Sequence, residues 1–318
     1  MERAAASHEQ VVRELDGQLS GIEELSFALT PERLLDGAPP ALSRSATFAA
    51  GEELARRYRV ERLLARGGMG EVFLAFDRVL EQHVAIKTLP ATQTDDERAV
   101  ARLLREVKHA LLVRHPNVCR VHDIVIHDEN PRDVIYFMTM EFVAGESLKR
   151  YARRQTLPVA TCIHLARQIL LALQAVHDAG LIHRDVKGDN LLVTAALEPF
   201  VTLIDFGLSR SLHAAAGSAG PALSGSLGYM APEQLEGSAL SPRTDLFSFG
   251  VVLFELLTGD VPFQRDDRRV TRQAWEACAP SQRRADVPPG LDALVKRCLR
   301  KAPEERHGSA REVIAALS

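Results

Sequence analysis

Four groups of residues in this chain meet, in order, the demands of phosphoryl transfer: a cradle for phosphates, a cation to hold them, oxygen ligands for a divalent metal, and a carboxylate to orient the attacking hydroxyl. The cradle is Leu64-Ala65-Arg66-Gly67-Gly68-Met69-Gly70-Glu71-Val72. Glycines let backbone N–H groups approach an anion closely, because no Cβ stands in the way. Taken alone the run reads equally as an ordinary hairpin turn, and no Lys-Ser/Thr pair follows its last glycine, so it is not a Walker A loop. Val84-Ala85-Ile86-Lys87 sets a lysine inside an apolar strand pattern. Burying an ammonium there is costly unless an anion meets it; a phosphate and Glu106 are the available partners, and a solvated lysine on a strand edge is the plain alternative. The densest signal is His183-Arg184-Asp185-Val186-Lys187-Gly188-Asp189-Asn190. Asp185 can accept a hydrogen bond from a hydroxyl, Lys187 can steady the transferred phosphate, and Asn190 can hold one metal. Asp205, in Asp205-Phe206-Gly207 after the apolar run Val201 to Ile204, adds a metal carboxylate. Any one of these segments reads as a polar loop; all of them in this order do not.

These groups need elements to position them. Tyr58 to Ala75, Gln82 to Leu89, Val118 to Ile126 and Val134 to Phe142 are rich in β-branched and apolar residues and read as strands. Between the second and third, Val100, Leu103, Leu104, Val107 and Leu111 recur at helical spacing within Asp95 to Val113. After Gly145 the pattern turns helical: Ser147 to Arg153, Val159 to Ala179, Pro242 to Thr258, Leu291 to Leu299 and Ser309 to Leu317. A strand-rich segment followed by a helix-rich one implies an α+β fold with two lobes. Residues 1 to about 50 differ. Val11, Val12, Leu15, Leu19 and Ile22 suggest a short amphipathic helix, Thr30-Pro31-Glu32 a helix start, and Pro39-Pro40 with the small residues up to Ala50 a linker.

The motif set resembles that of the eukaryotic-type Ser/Thr protein kinases, and Arg66 to Phe73 resembles the bacterial branch in particular. The resemblance runs from about Tyr58 to Leu317. It implies a two-lobed kinase domain over residues 58–318, with the N-lobe to about 143 and the C-lobe from about 144, preceded by an extension over 1–57. It also implies transfer of the γ-phosphoryl of ATP to protein hydroxyls, with Mg2+, or Mn2+ as the alternative, held by Asn190 and Asp205. Lys87, paired with Glu106, would position the nucleotide, and Asp185 and Lys187 would act at the hydroxyl and phosphate. Leu64, Ala65, Gly67, Gly68, Gly70 and Val72 would cover the nucleotide from one side. Ala85 and Leu192 would line it, and the hinge Met140-Glu141-Phe142-Val143 would meet the adenine, with Met140 as gatekeeper. Gly228-Tyr229-Met230-Ala231-Pro232-Glu233 resembles the segment closing the activation loop, whose glutamate pairs in the family with a late arginine, here Arg306. Asp245 matches the aspartate that braces the catalytic-loop backbone. Lys187, two residues after Asp185, and the hydroxyl of Ser226 favour Ser/Thr over Tyr. Ala65 departs from the family's first glycine, which implies weaker or slower nucleotide handling at most.

Two rival readings share the fold. A scaffold without chemistry would lack one of Lys87, Asp185, Asn190 or Asp205, all of which are present. A small-molecule phosphotransferase would lack the Ala231-Pro232-Glu233 segment, also present. Arg184 and Arg210 could receive a phosphate on Ser218, Ser224 or Ser211, and Ser43, Ser45 and Thr47 are candidate autophosphorylation sites, which would involve self-association. The remaining composition is ordinary. The 318 residues are 46% hydrophobic and 25% charged, with net charge −3, which argues against nucleic acid or an anionic membrane as the main partner. The four cysteines, Cys119, Cys162, Cys278 and Cys298, are scattered, which excludes a zinc or disulfide framework and suits a cytoplasmic protein. No apolar run approaches the roughly 20 residues needed to span a bilayer, and Phe247 to Leu257 reads as a core helix.

Overall fold

Strand alternation builds the first lobe. In the computed structural model, which describes residues 47–67, 70–88, 107–127, 135–194, 198–205, 227–263 and 279–317, β1 (Glu53–Leu54), β2 (Tyr58–Gly67), β3 (Gly70–Asp77), β4 (Gln82–Thr88), β5 (Val121–His127) and β6 (Ile135–Glu141) form one antiparallel sheet in the order β1-β2-β3-β4-β6-β5. Successive side chains in a strand take opposite faces. The register pairs Val72 with Lys87 and Leu74 with Ala85, and sets Met140 opposite Ala85 and Met138 opposite Lys87, so these six share one face. On the other face Phe73, Ala75, Val84, Ile86 and Phe137 close a core with Tyr58, Val60, Leu54 and Phe48.

Phe48 is where the structure departs from the sequence reading. The small-residue stretch up to Ala50 was expected to be a linker, yet Phe48 is only 3% exposed and packs on Phe73 and Phe137. One aromatic among alanines gives no periodic signal, but a ring of that size repays burial by itself. From Arg44 onward the chain forms one compact unit.

The second lobe is helical. β7 (Glu146–Ser147) leads into α1 (Leu148–Arg153), followed by α2 (Val159–Asp178) and the β8 (Leu191–Thr194) and β9 (Phe200–Leu203) hairpin, which with β7 makes a three-stranded sheet. Then come α3 (Pro232–Glu236), α4 (Pro242–Thr258), α5 (Pro289–Cys298) and α6 (Ala310–Ala316). Helix α2 packs against α4, α6 and β9. By length and composition it is apolar enough to cross a membrane, but Leu165, Ile169, Leu173 and Val176 are wholly buried within the lobe. Helix α4 is buried nearly all round, as the sequence suggested for Phe247 to Leu257. Gly250 permits its approach to α5, since a Cβ there would sit 2.7 Å from the Cβ of Cys298.

Strand β5 starts at Val121 rather than Val118, because the segment before it is bonded to the other lobe. Val118 forms a parallel bridge with Leu203, Cys119 N–H donates to Leu203 O at 2.8 Å, and Leu203 N–H donates to Asn117 O at 2.8 Å. Of the helix expected over Asp95 to Val113, residues 107–112 are helical; its earlier part and the expected N-terminal helices lie outside the described residues.

Phe48→Ala is expected to destabilise the full chain by about 3–5 kcal/mol, the usual cost of emptying a buried aromatic site. Urea unfolding of wild type and variant, followed by fluorescence, checks this.

Candidate active site

The loop between α2 and β8 is held in a conformation its residues would not adopt unaided. Arg184 has φ +67°, and Asp205, after β9, has φ +64°. Left-handed backbone at a non-glycine costs about 1–2 kcal/mol, so surrounding bonds must over-determine it. For Arg184 they do. The Asp245 carboxylate, on α4 and wholly buried, accepts Arg184 N–H at 2.8 Å on Oδ1. On Oδ2 it accepts His183 N–H at 2.7 Å and the His177 ring Nε2 at 2.8 Å. From the other side, Gln234 Nε2 donates to Arg184 O at 2.9 Å.

His183 fixes the loop to β9. Its Nε2 lies 3.2 Å from Ile204 O and its Nδ1 accepts Asp185 N–H at 3.4 Å, which assigns the proton to Nε2. Burial pushes its pKa down, so the ring stays neutral and this pattern holds at physiological pH. Ile204 N–H in turn donates to Asn190 O at 2.9 Å. The two predicted metal ligands, Asn190 and Asp205, are thereby carried on segments bonded to each other.

Around Asp185 the contacts are direct. Lys187 Nζ donates to Asp185 Oδ2 at 2.8 Å, and Asn190 Nδ2 donates to the same oxygen at 2.9 Å and to Asp185 O at 2.8 Å. Asn190 commits its amide nitrogen to Asp185, so Oδ1 is the atom that could hold a metal. One carboxylate and one amide oxygen are hard donors, and they suit a Mg2+ that keeps waters and takes its other ligands from phosphates.

Lys87 is 4% exposed and its ammonium forms an ion pair with Asp205. A buried ammonium needs a counter-charge. The sequence reading named Glu106 or a phosphate for this role; Glu106 lies outside the described residues, and Asp205 is the partner seen. The pair also shows which way the first lobe faces. Val72, Ala85, Met138 and Met140 share the Lys87 face, so that face looks toward the second lobe. Leu64 sits at a register break between the pairs Leu63–Phe73 and Ala65–Val72.

Gly70, with φ +113°, is required by close approach: a Cβ there would lie 2.3 Å from Thr88 O. Thr88 also accepts Glu71 N–H on Oγ1 at 2.9 Å, so the end of β4 grips the glycine-rich hairpin next to its tip. In the hinge, Glu141 N–H donates to Arg120 O at 2.9 Å, and the Cys119 thiol donates to Glu141 O at 3.4 Å. Burial pushes the Cys119 thiol far up, so it stays protonated to make that bond. Val143 and Leu192 are half-buried. Gly68, Phe206, Gly207, Arg210, Ser211, Ser218, Ser224 and Ser226 fall outside the described residues. Gln234, His177 and Thr88 were not singled out from sequence; each acts through a main-chain or ring contact that no motif encodes.

Below the loop, Glu233 and Arg306 form a two-pronged ion pair, Nη1–Oε1 at 2.7 Å and Nη2–Oε2 at 2.9 Å. Arg306 spends its remaining donors on Arg300 O, Arg243 O and Lys301 O and stacks on Phe247. Burial raises the Glu233 pKa, but the bonds from Arg306 and Thr244 more than offset this, leaving it below the usual range. A carboxyl depressed in the folded state adds stability above its unfolded pKa and loses it as pH falls through the folded value. Wild type should therefore lose stability progressively below about pH 5. Glu233→Gln should flatten part of that slope and cost about 3–5 kcal/mol at neutral pH, since a buried guanidinium is left unpaired. Urea titrations at stepped pH measure both effects.

Comparison with known proteins agrees with this geometry. Residues 58–316 match the family described as protein kinase domain. The chain is 38% identical over 281 residues to the serine/threonine-protein kinase pkn3 of Myxococcus xanthus, covering 84% of this chain and 50% of that protein. It is 32% identical over 272 residues to a probable serine/threonine-protein kinase of Clostridium acetobutylicum, covering 84% of this chain and 40% of that one. The chain thus spans half or less of the length of these curated relatives. Among solved structures, the PknI kinase domain of Mycobacterium tuberculosis superposes with a TM-score of 0.67 at 27% identity, covering 85% of this chain and 98% of that one.

Proposed function

Because this chain belongs to the protein kinase family, with the two-lobed fold of that family, we propose that it transfers the γ-phosphoryl of ATP to Ser or Thr hydroxyls of protein substrates, itself included, in bacterial signalling. The observation that carries the reading is the continuous cluster of Lys87, Asp205, Asn190, Asp185 and Lys187, drawn from both lobes and linked through ion pairs and through Ile204.

Each member has a part in an in-line displacement. Lys87 holds phosphate oxygens from the sheet side. Asp185 accepts the hydrogen bond of the incoming hydroxyl and points its oxygen at the γ-phosphorus. Lys187, already on Asp185, is placed to offset charge on the transferred phosphoryl. A divalent cation bound through Asn190 Oδ1 and Asp205 would neutralise phosphate oxygens; Mg2+ fits the two oxygen donors, and Mn2+ would fit them too. Little covalent chemistry is asked of the protein, so its contribution is positioning and fixed charge. The Ser/Thr assignment is supported by Lys187 beside Asp185 and by the names of the relatives. Self-association for transfer between copies belongs to the same reading.

The test is transfer from labelled ATP–Mg2+ to the chain and to a generic basic protein, with phosphoamino-acid analysis. Label is expected on Ser or Thr, and a fall of about 10²–10⁴-fold is expected in Asp185→Asn and in Lys87→Met. Phosphotyrosine as the main product would overturn the Ser/Thr assignment, and no label from a folded, nucleotide-binding chain would favour the scaffold. Asp245→Asn, which leaves one acceptor oxygen for donors that now use two, should slow transfer about 10-fold or more while nucleotide affinity in a direct titration stays within about 2-fold.

A further inference from the structure

The glycine-rich hairpin is clamped from outside by the chain that precedes it. Thr47 donates its main-chain N–H to Glu71 Oε2 at 2.7 Å. Arg66 donates Nε to the other oxygen, Oε1. Arg66 and Glu71 are the cross-strand pair next to Gly67 and Gly70 at the hairpin tip. Glu71 is 8% exposed, so its charge has left water and depends on these donors. Burial raises its pKa and the bonds from Thr47 and Arg66 more than offset that, so the carboxylate is ionised at neutral pH.

One residue on, Phe48 is seated in the core against Phe73. Ala49 N–H then donates to Glu52 Oε2 at 2.7 Å, and Gly51 N–H donates to Val60 O at 2.8 Å, fastening the segment to β2. A strap of a few residues thus crosses the outer face of the hairpin whose tip is the phosphate cradle. Thr47, at the strap's end, is exposed, and its main-chain N–H is one of the groups holding the strap down.

We propose that Thr47 is a regulatory phosphorylation site, and that a phosphate on its hydroxyl frees the strap from Glu71 and loosens the nucleotide cradle. The proposal rests on the kinase reading for its chemistry. Thr47 Oγ1 of one copy attacks the γ-phosphorus of ATP held by another. The Oγ1–P bond forms as the bond to the β,γ-bridging oxygen breaks, ADP leaves with that electron pair, and the hydroxyl proton passes by way of Asp185 to solvent. A group of charge near −2 then stands on the residue whose main-chain N–H bonds the Glu71 carboxylate. Arg66 carries one positive charge already engaged by Glu71, so the trio sums to about −2. Repulsion at that point separates strap from hairpin. The transfer residues Asp185, Lys187 and Asn190 lie in the other lobe, so the effect falls on nucleotide binding rather than on the chemical step.

The experiment uses the full chain. After incubation with ATP–Mg2+, trypsin releases the peptide Ser45 to Arg56, in which Ser45 and Thr47 are the hydroxyl acceptors. Fragmentation mass spectrometry is expected to place phosphate on Thr47. In kinetics, Thr47→Glu should raise KM for ATP about 5-fold with kcat within about 2-fold, whereas Thr47→Val, which keeps the main-chain N–H, should leave KM within about 2-fold. In a Glu71→Gln background the Thr47→Glu penalty should vanish, because the repelling charge is gone. Phosphate elsewhere with Thr47 unmodified, an unmoved KM in Thr47→Glu, or a penalty that survives Glu71→Gln would each overturn the strap while leaving the kinase reading intact. Absence of all transfer in wild type would overturn both.

Discussion

The geometry of the site depends on a carboxylate that takes no part in the chemistry. Asp245 sits on a helix buried nearly all round and receives three donors, from His183, Arg184 and His177. Without it the Arg184 N–H loses the acceptor that helps hold its left-handed backbone, and Asp185, the next residue, loses its aim. The burial of α4 matters for the same reason. A charge inside that helix is tolerated because every donor it needs is brought to it, and the donors are fixed in place because the charge cannot move.

A second principle operates between the lobes. Lys87 belongs to the sheet and Asp205 to the helical half, yet each is the other's partner. The strand register that puts Val72, Ala85 and Met140 beside Lys87 therefore also defines the wall facing Asp205 and Asn190. Placement by register is robust, because a slip of one residue would turn every one of these side chains to the opposite face.

Much of this was legible in the sequence, for identifiable reasons. Chemistry-bearing residues stand in fixed order along the chain, so Lys87, Asp185, Asn190 and Asp205 could be named before their contacts were known. The strands from Tyr58 and Gln82 and the helices from Val159 and Pro242 are rich in apolar residues and appear where that richness predicts. What stayed hidden was interaction without pattern. Phe48 is one ring among small residues. Gln234 braces Arg184 through a carbonyl, and Val118 leaves its expected strand because Leu203 offers a bridge from the other lobe. Such contacts are set by which surfaces meet, which local spacing does not record. The identity of the Lys87 partner is the clearest case: the need for a counter-charge could be read from burial, but not which carboxylate would supply it.

The Glu233–Arg306 pair bears on how such a domain can be inherited. The two residues stand 73 positions apart, and the guanidinium is committed to Glu233, to three carbonyls and to the face of Phe247. A lysine could not reproduce that fork, and neither member can be exchanged alone without stranding a charge in the interior. Drift at one codon is thus blocked by the other. At the opposite end, Phe48 ties the sheet to residues ahead of it in the same way. A recombination breakpoint between Phe48 and Phe137, or between Glu233 and Arg306, would separate partners that have no substitutes, so a segment that passes intact from one gene to another must keep each set together.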